Sequence, residues 1–307
     1  MSFNRLAVYA HRGWASSKIF ASLANSGAPV RVLYRPGSDI SNVPSGVEAV
    51  EVDTANQDAL KASLKDIDIL MYASVPASSK SHLVFEHIIY HVKLFVPSDL
   101  AFRCDEQGLR ARVNRLKNEV EMTAKAAGIP MTIILPGLFA ESALSTGLLV
   151  IDLAKNRIIF FGDSEHQVLN ICTREYIAAA YASIFAQTPI ADLRDRVIGL
   201  SELRLTGAEI AKSLELKHGS PPQIFRQNLA EVGRQFDKSV TGGLPLGIPY
   251  YCRYLWGAGG YVKAIGSDIW PMDGYRRKTL DELLNGGMDL YRDFPPKLVE
   301  LVDRSFY

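Results

Sequence analysis

Arg5-Leu6-Ala7-Val8-Tyr9-Ala10-His11-Arg12-Gly13-Trp14-Ala15-Ser16 decides how this chain is read. A short apolar run stops at a small-residue turn, as a buried parallel strand does. Beyond Ser16 the period changes: Ile19, Phe20, Leu23 and Ala24 share one helical face, and Ser26-Gly27 closes the helix with a C′ glycine. Val30–Tyr34 is a second strand, broken by Pro36-Gly37. Strand, tight turn, helix and strand make the opening unit of a Rossmann-type fold.

In such a first turn each glycine has a task. The first permits the turn, the second admits a pyrophosphate close to the backbone, and the third lets helix and strand pack. Here those positions hold Ala10, Gly13 and Ser16, so only the central glycine remains. A helix N-terminus still offers N–H groups to a phosphate, and Arg12 adds a cation. The same changes also suit a Rossmann-shaped domain that no longer takes a dinucleotide. Trp14 must face solvent, a subunit contact or the nucleotide.

The pattern repeats downstream. Strands are expected at 47–52, 67–72, 92–96 and 131–135, and helices at 57–64, 83–91 and 109–127. The fold class is therefore α/β: a Rossmann-type doubly wound parallel sheet with a smaller α/β C-terminal substrate-side region. The expected division is 1–142 for the nucleotide-binding domain and 143–307 for the substrate-side region, whose strands can return to the main sheet. Within the latter, strands are expected at 157–161 and 197–200 and a helix at 174–185. Thr206 and Thr279 each start a helix through a Thr-x-x-Glu box. The segment 241–274, dense in glycine, proline and aromatics, reads as an irregular lid.

Bulk properties remove whole classes of partner. A net charge of +1 over 307 residues gives no electrostatic hold on a polyanion, so no nucleic acid is expected. No run approaches the roughly 20 apolar residues of a membrane span, and Met1–Arg5 passes straight into a strand without a secretory signal. A cytoplasmic location follows. The three cysteines, Cys104, Cys172 and Cys252, show no metal spacing. The expected partner is a small-molecule substrate, with the chain a monomer or homodimer.

Several segments in order resemble the NmrA-like and isoflavone-reductase-like branch of the short-chain dehydrogenase/reductases. They are Val32-Leu33-Tyr34-Arg35-Pro36-Gly37-Ser38, Phe95-Val96-Pro97-Ser98-Asp99, Gly128 to Ile134 running into Pro136-Gly137-Leu138-Phe139, and Thr279 to Leu284. The wider superfamily carries Tyr-x-x-x-Lys on the helix after strand five. Here that stretch is Val113-Asn114-Arg115-Leu116-Lys117, with the lysine present and the tyrosine absent. The resemblance implies that Lys117 anchors the nicotinamide ribose and serves as, or orients, the general acid.

NADP(H) is the expected cofactor. Tyr34-Arg35 ends the second strand without a carboxylate, and an arginine there suits a 2′-phosphate. Cofactor-binding candidates are Arg12, Gly13, Trp14, Arg35, Asp53, Ser74, Val75 and Lys117; Asp53 equally suits a turn or cap. Substrate-pocket candidates are His11, Ser98, Phe139, Tyr251 and Trp256, although the aromatics after residue 241 equally suit a core. His87 and His91 share a helix face, with His82 nearby, yet lack the further ligands of a zinc motif, and no metal is expected. The leading function is an NADPH-dependent reductase of a small apolar carbonyl or enone, of polyketide or phenolic type. The alternatives are a non-redox isomerase or cyclase with a degenerate cofactor loop, and a non-catalytic NADP(H)-sensing regulator.

Overall fold

A computed structural model describes residues 2–53, 56–72, 92–243, 247–286, 288–291, 296, 300 and 304–306. The expected helix at 83–91 lies outside them.

Strand β1 (Leu6–Tyr9) is apolar at every position and completely enclosed, as a strand covered on both faces must be. It pairs in parallel with β2 (Val30–Tyr34) and β4 (Ile69–Tyr72). With β3 (Glu48–Glu51) and β5 (Leu94–Val96) they form a five-stranded parallel sheet ordered β3-β2-β1-β4-β5. A bridge from Phe95 to Met131 brings in β6 (Thr132–Leu135), and β6 pairs in parallel with β11 (Arg196–Gly199). The chain after residue 143 thus returns a strand to the main layer.

Helix α1 (Ser16–Asn25) lays Ile19, Phe20 and Leu23 on one face of the sheet, beside the helix Arg174–Phe185 with Tyr176, Ile177 and Ile184. On the other face α2 (Gln57–Ser63) and the helix Arg112–Ala126 bury Leu60, Val120 and Ala124. Both capping boxes form: Thr206 caps Gly207–His218 and Thr279 caps Leu280–Asn285.

Two expectations need correction. The helix expected at 109–127 is two pieces, Glu106–Leu109 and Arg112–Ala126, because Ala111 is extended between them. Asp105 caps the first piece, and the Tyr251 ring presses on Gly108, where a Cβ would stand 2.4 Å from Cζ. The segment 241–274 contains a buried helix, Gly247–Gly257, followed by the short helix Tyr261–Ala264. Its glycine density serves close packing. A Cβ on Gly257 would lie 2.3 Å from the Phe161 carbonyl of β9 (Arg157–Phe161). Strand β9 lies between β8 (Ile151–Asp152) and β13 (Gln223–Gln227), while β10 (Leu169–Cys172) joins β7 (Leu138–Phe139) to β12 (Leu203–Leu205). These short sheets and the Gly247–Gly257 helix enclose a second core.

Asp68, just before β4, ties the strand starts together. It accepts from the Arg5 N–H at 2.9 Å and pairs with Lys93 Nζ at 2.8 Å. Burial pushes its carboxyl up, but the bonds from Arg5 and Lys93 outweigh this and hold its pKa at about 2. A folded-state pKa below the unfolded one adds stability above pH ~4 that is lost as pH falls toward ~2. Urea titrations are expected to show about 2 kcal/mol of acid-dependent stability from this group, absent in Asp68→Asn.

Candidate functional site

At the C-terminal ends of β1 and β2 lies a cleft of about 410 Å³ whose wall includes Tyr9, His11, Arg12, Gly13, Tyr34 and Arg35. It occupies the edge where doubly wound sheets bind ligands. Ala10 adopts φ +63°, left-handed backbone that the usual glycine enters without strain. The Ser16 hydroxyl donates to the Ala10 carbonyl at 2.7 Å, closing the turn from the helix side. A Cβ on Gly13 would sit 2.8 Å from that same hydroxyl. Ser16 thus stands where a glycine is usual, and a side chain at Gly13 would displace its hydroxyl from the Ala10 carbonyl. No side chain caps α1, although within its first turn the Ser17 N–H already donates to the Gly13 carbonyl at 2.9 Å. Ala10→Gly is expected to stabilise the chain by up to about 1 kcal/mol, measured as a raised urea midpoint, because strain relief outweighs glycine's entropy cost.

His11 turns inward. It is buried edge-on against Phe20, and its ring nitrogen Nε2 bonds Asn42 Oδ1 at 3.1 Å. Burial lowers its pKa, with Arg12 adding to the effect, so a neutral imidazole braces the loop. Arg12 points outward and pairs with Asp39 at 3.4 Å. Arg35 is exposed at the end of β2, on the cleft wall. The rings of Tyr9 and Tyr72 stack 5.0 Å apart at the paired ends of β1 and β4. Asp53 is exposed beyond β3, and its carbonyl accepts from the Asn56 N–H. Ser74 and Val75 lie outside the described residues, as do His82, His87 and His91. Among the described residues no cluster of His, Cys, Asp or Glu is suited to a metal.

Trp14 settles among three partners. Its ring meets Phe139 edge-on at 5.1 Å and Tyr291 at 4.9 Å, and the Arg174 guanidinium lies over it at 4.4 Å. Arg174 also donates to the Trp14 carbonyl. The loop between β1 and α1 is thereby fastened to β7 and to the segments of Arg174 and Tyr291. Phe139, a substrate-pocket candidate, stands within this cluster.

Lys117 and Asp99 meet at the end of β5. The lysine is half-buried, with Nζ turned inward to donate to the Asp99 carbonyl at 2.7 Å. Burial lowers its pKa. Asp99 is buried, and its Oδ2 has no partner. Burial first, and Glu121 second, lift the Asp99 carboxyl to about 7. Arg103 holds both Glu121 oxygens, at 2.6 and 2.7 Å. These groups line a cavity of about 50 Å³, room for a water or two. Val113, where the wider superfamily has tyrosine, is exposed. Ser98 is half-buried at the bend beside this cluster.

Tyr251 and Trp256 stand in the second core. The Tyr251 hydroxyl donates to Asp105 Oδ1 at 2.9 Å, and the Trp256 indole donates to the Gln167 carbonyl at 3.1 Å. The structure therefore gathers the loop residues with Arg35, and Phe139 with Trp14. It separates Tyr251 and Trp256 from both groups. Sequence reasoning missed Glu121, Glu141 and Arg174. Of these only Glu141 left a trace, as a lone carboxylate in Leu138-Phe139-Ala140-Glu141-Ser142-Ala143-Leu144.

No protein-family model matches the chain, and no curated protein matches it by sequence. Solved structures do match. The NADPH complex of leucoanthocyanidin reductase from Vitis vinifera superposes with TM-score 0.72 at 17% identity, covering 92% of this chain and 99% of that one. An isoflavone reductase gives 0.73 at 17% identity over 92% and 99%. The NADP(H) complex of Citrobacter sp. triphenylmethane reductase gives 0.61 at 15% identity over 92% and 100%. The chain carries the fold of the isoflavone-reductase-like atypical short-chain dehydrogenase/reductases.

Proposed function

We propose that the protein is an NADP(H)-dependent reductase of a small carbonyl or enone metabolite of secondary, polyketide or phenolic type. The observation that carries this reading is the cleft of about 410 Å³ over an uncapped helix start, with Arg12 and Arg35 on its wall. Helix N–H groups suit the pyrophosphate, and an arginine after β2 suits a 2′-phosphate. Structures of the same fold hold NADPH or NADP(H), which supports the cofactor assignment. A relative in fold is described with NADP+ and (+)-pinoresinol, which supports a small-molecule substrate. No helix among the described residues is long and apolar enough to cross a membrane.

The cofactor, when bound, supplies hydride. Gly13, the Trp14 backbone and Arg12 would hold its phosphates, Arg35 its 2′-phosphate, and Lys117 its ribose. Lys117 would also deliver the proton that balances hydride addition. Asp53, Ser74 and Val75 complete the cofactor side, and Ser98 and Phe139 the substrate side. Residues 1–142 carry the cofactor half and 143–307 most of the substrate half. The protein works in the cytoplasm as a monomer or homodimer.

Calorimetric titration with NADPH and NADH tests the assignment. NADPH is expected to bind at least tenfold more tightly, on the order of one 2′-phosphate contact. No NADPH binding at millimolar concentration would end the reductase reading. Two observations favour a non-redox isomerase or cyclase: Ala10 holds a left-handed turn without glycine, and Asp39 already engages Arg12. Product formation without nucleotide consumption would establish that second reading.

A further inference from the structure

The bend after β5 is strained. The Asp99 N–H donates to the Pro97 carbonyl at 3.0 Å, and Leu100 takes φ +32°, left-handed backbone that a leucine enters at a cost. This tight turn sets Asp99 against the helix Arg112–Ala126. Its carbonyl accepts from Lys117 Nζ at 2.7 Å, and its carboxyl meets that of Glu121, one turn further along the helix.

Two carboxyls in contact hold one proton between them, because like charges side by side cannot both ionise. Arg103 decides which of them keeps the charge. Its Nη1 donates to both Glu121 oxygens, at 2.6 and 2.7 Å, so Glu121 is the ionised member. Among the described residues no donor reaches Asp99 Oδ2. A buried carboxylate oxygen with nothing to accept is costly, and protonation removes the cost. The proton therefore sits on Asp99. The other groups facing it carry no charge. Burial pushes the Cys104 thiol up to about 12 and raises the Tyr181 hydroxyl, and Asn114 and Asn118 in the cavity wall are neutral amides.

Lys117 is the cation this proton concerns. Its Nζ bonds the carbonyl of the very residue whose carboxyl titrates, and both residues line the cavity of about 50 Å³. Burial lowers the lysine's hold on its proton, and an ionised Asp99 strengthens it. We propose that Asp99 is a positioning residue that sets the acidity of Lys117: while protonated it leaves the ammonium without a counterion and ready to release its proton, and once ionised it holds that proton in place. Glu121 and Arg103 fix the pH at which the change occurs. The inference rests on the reductase reading only for the use of Lys117 as proton donor. Its consequence there is that proton delivery weakens as pH rises through the Asp99 titration, before Lys117 loses its own charge.

NMR of the full chain with isotope-labelled lysine, reading Lys117 Nζ through its Cε protons across pH, tests this. The signal missing from Lys117→Met identifies the residue. The wild type is expected to show two inflections, the lower at about 7 from Asp99. Asp99→Asn is expected to erase the lower one and to raise the ionisation constant of Lys117 at least about tenfold, the effect of one adjacent charge. Glu121→Gln is expected to move the lower inflection to lower pH and Arg103→Met to higher pH. Lost structural support cannot move it in both directions, so these two variants decide the matter even if Asp99→Asn does not fold. A single inflection in the wild type, a lower inflection that survives in folded Asp99→Asn, or one that ignores both other substitutions overturns the proposal. The same samples titrated with NADPH separate the two ideas. Two inflections without NADPH binding remove the reductase reading and leave the Asp99–Lys117 pair standing.

Discussion

Lys117→Met is expected to slow NADPH oxidation by about 10²–10⁴-fold in single turnover, the usual range for a positioned general acid. The substrate is whichever carbonyl or enone consumes NADPH in a panel. The expected loss rests on the proposed proton-donor role: Lys117 Nζ is held at the end of β5 by the Asp99 carbonyl at 2.7 Å, and methionine carries no proton. Stability is expected to change by less than about 1 kcal/mol. One bond is lost, but a buried ammonium disappears with it and a thioether of similar length fills the space. Asp99, already raised to about 7, loses its neighbouring cation and protonates more readily. Burial lowers the wild-type lysine pKa, so an acid step falls off as pH climbs through that lowered value, earlier than for an ordinary lysine. Wild-type rates from a folded Lys117→Met protein would remove Lys117 from the reaction.

Arg253→Leu is expected to cost about 3 kcal/mol of folding stability, read as a shifted urea midpoint. Arg253 is 2% exposed inside the second core. Its Nε donates to the Leu148 carbonyl at 2.8 Å and its Nη2 to the Gly147 carbonyl at 3.3 Å. Those carbonyls belong to the one-turn helix 146–149, which ends at left-handed Val150. Such a terminus leaves carbonyls without helical partners, and a cation beside them is favourable. The rings of Phe161 and Tyr250 flank the guanidinium at 5.6 and 5.1 Å. Burial lowers its pKa to about 10, so it remains charged at neutral pH. Leucine satisfies the packing and leaves both carbonyls dry. A midpoint unchanged within about 0.5 kcal/mol would show that the loop pairs them otherwise.

Local pattern was enough for the first sheet. Apolar runs at Leu6–Tyr9 and Val30–Tyr34, the helical period after Ser16, and the Thr206 and Thr279 boxes are local signals, and the elements formed where they point. The altered phosphate loop was visible for the same reason. The candidate residues Arg12, Gly13 and Arg35 share one cleft because consecutive βα turns of a parallel sheet open on one edge.

Tertiary structure decided what lies far apart in sequence. Glycine and aromatic density around 247–257 marked a packed helix because Gly257 meets the Phe161 backbone, a contact across 96 positions that no local period encodes. Tyr251 and Trp256 joined the core for that reason. Trp14 found Phe139, Arg174 and Tyr291, each on a separate segment. Alone, the sequence determined the strands of the first sheet, helix α1 and the altered loop between β1 and α1. Which buried polar atoms go without partners depends on folding distant segments against one another. Only the tertiary structure therefore disclosed Asp99 beside Lys117 and Glu141 beside Arg174.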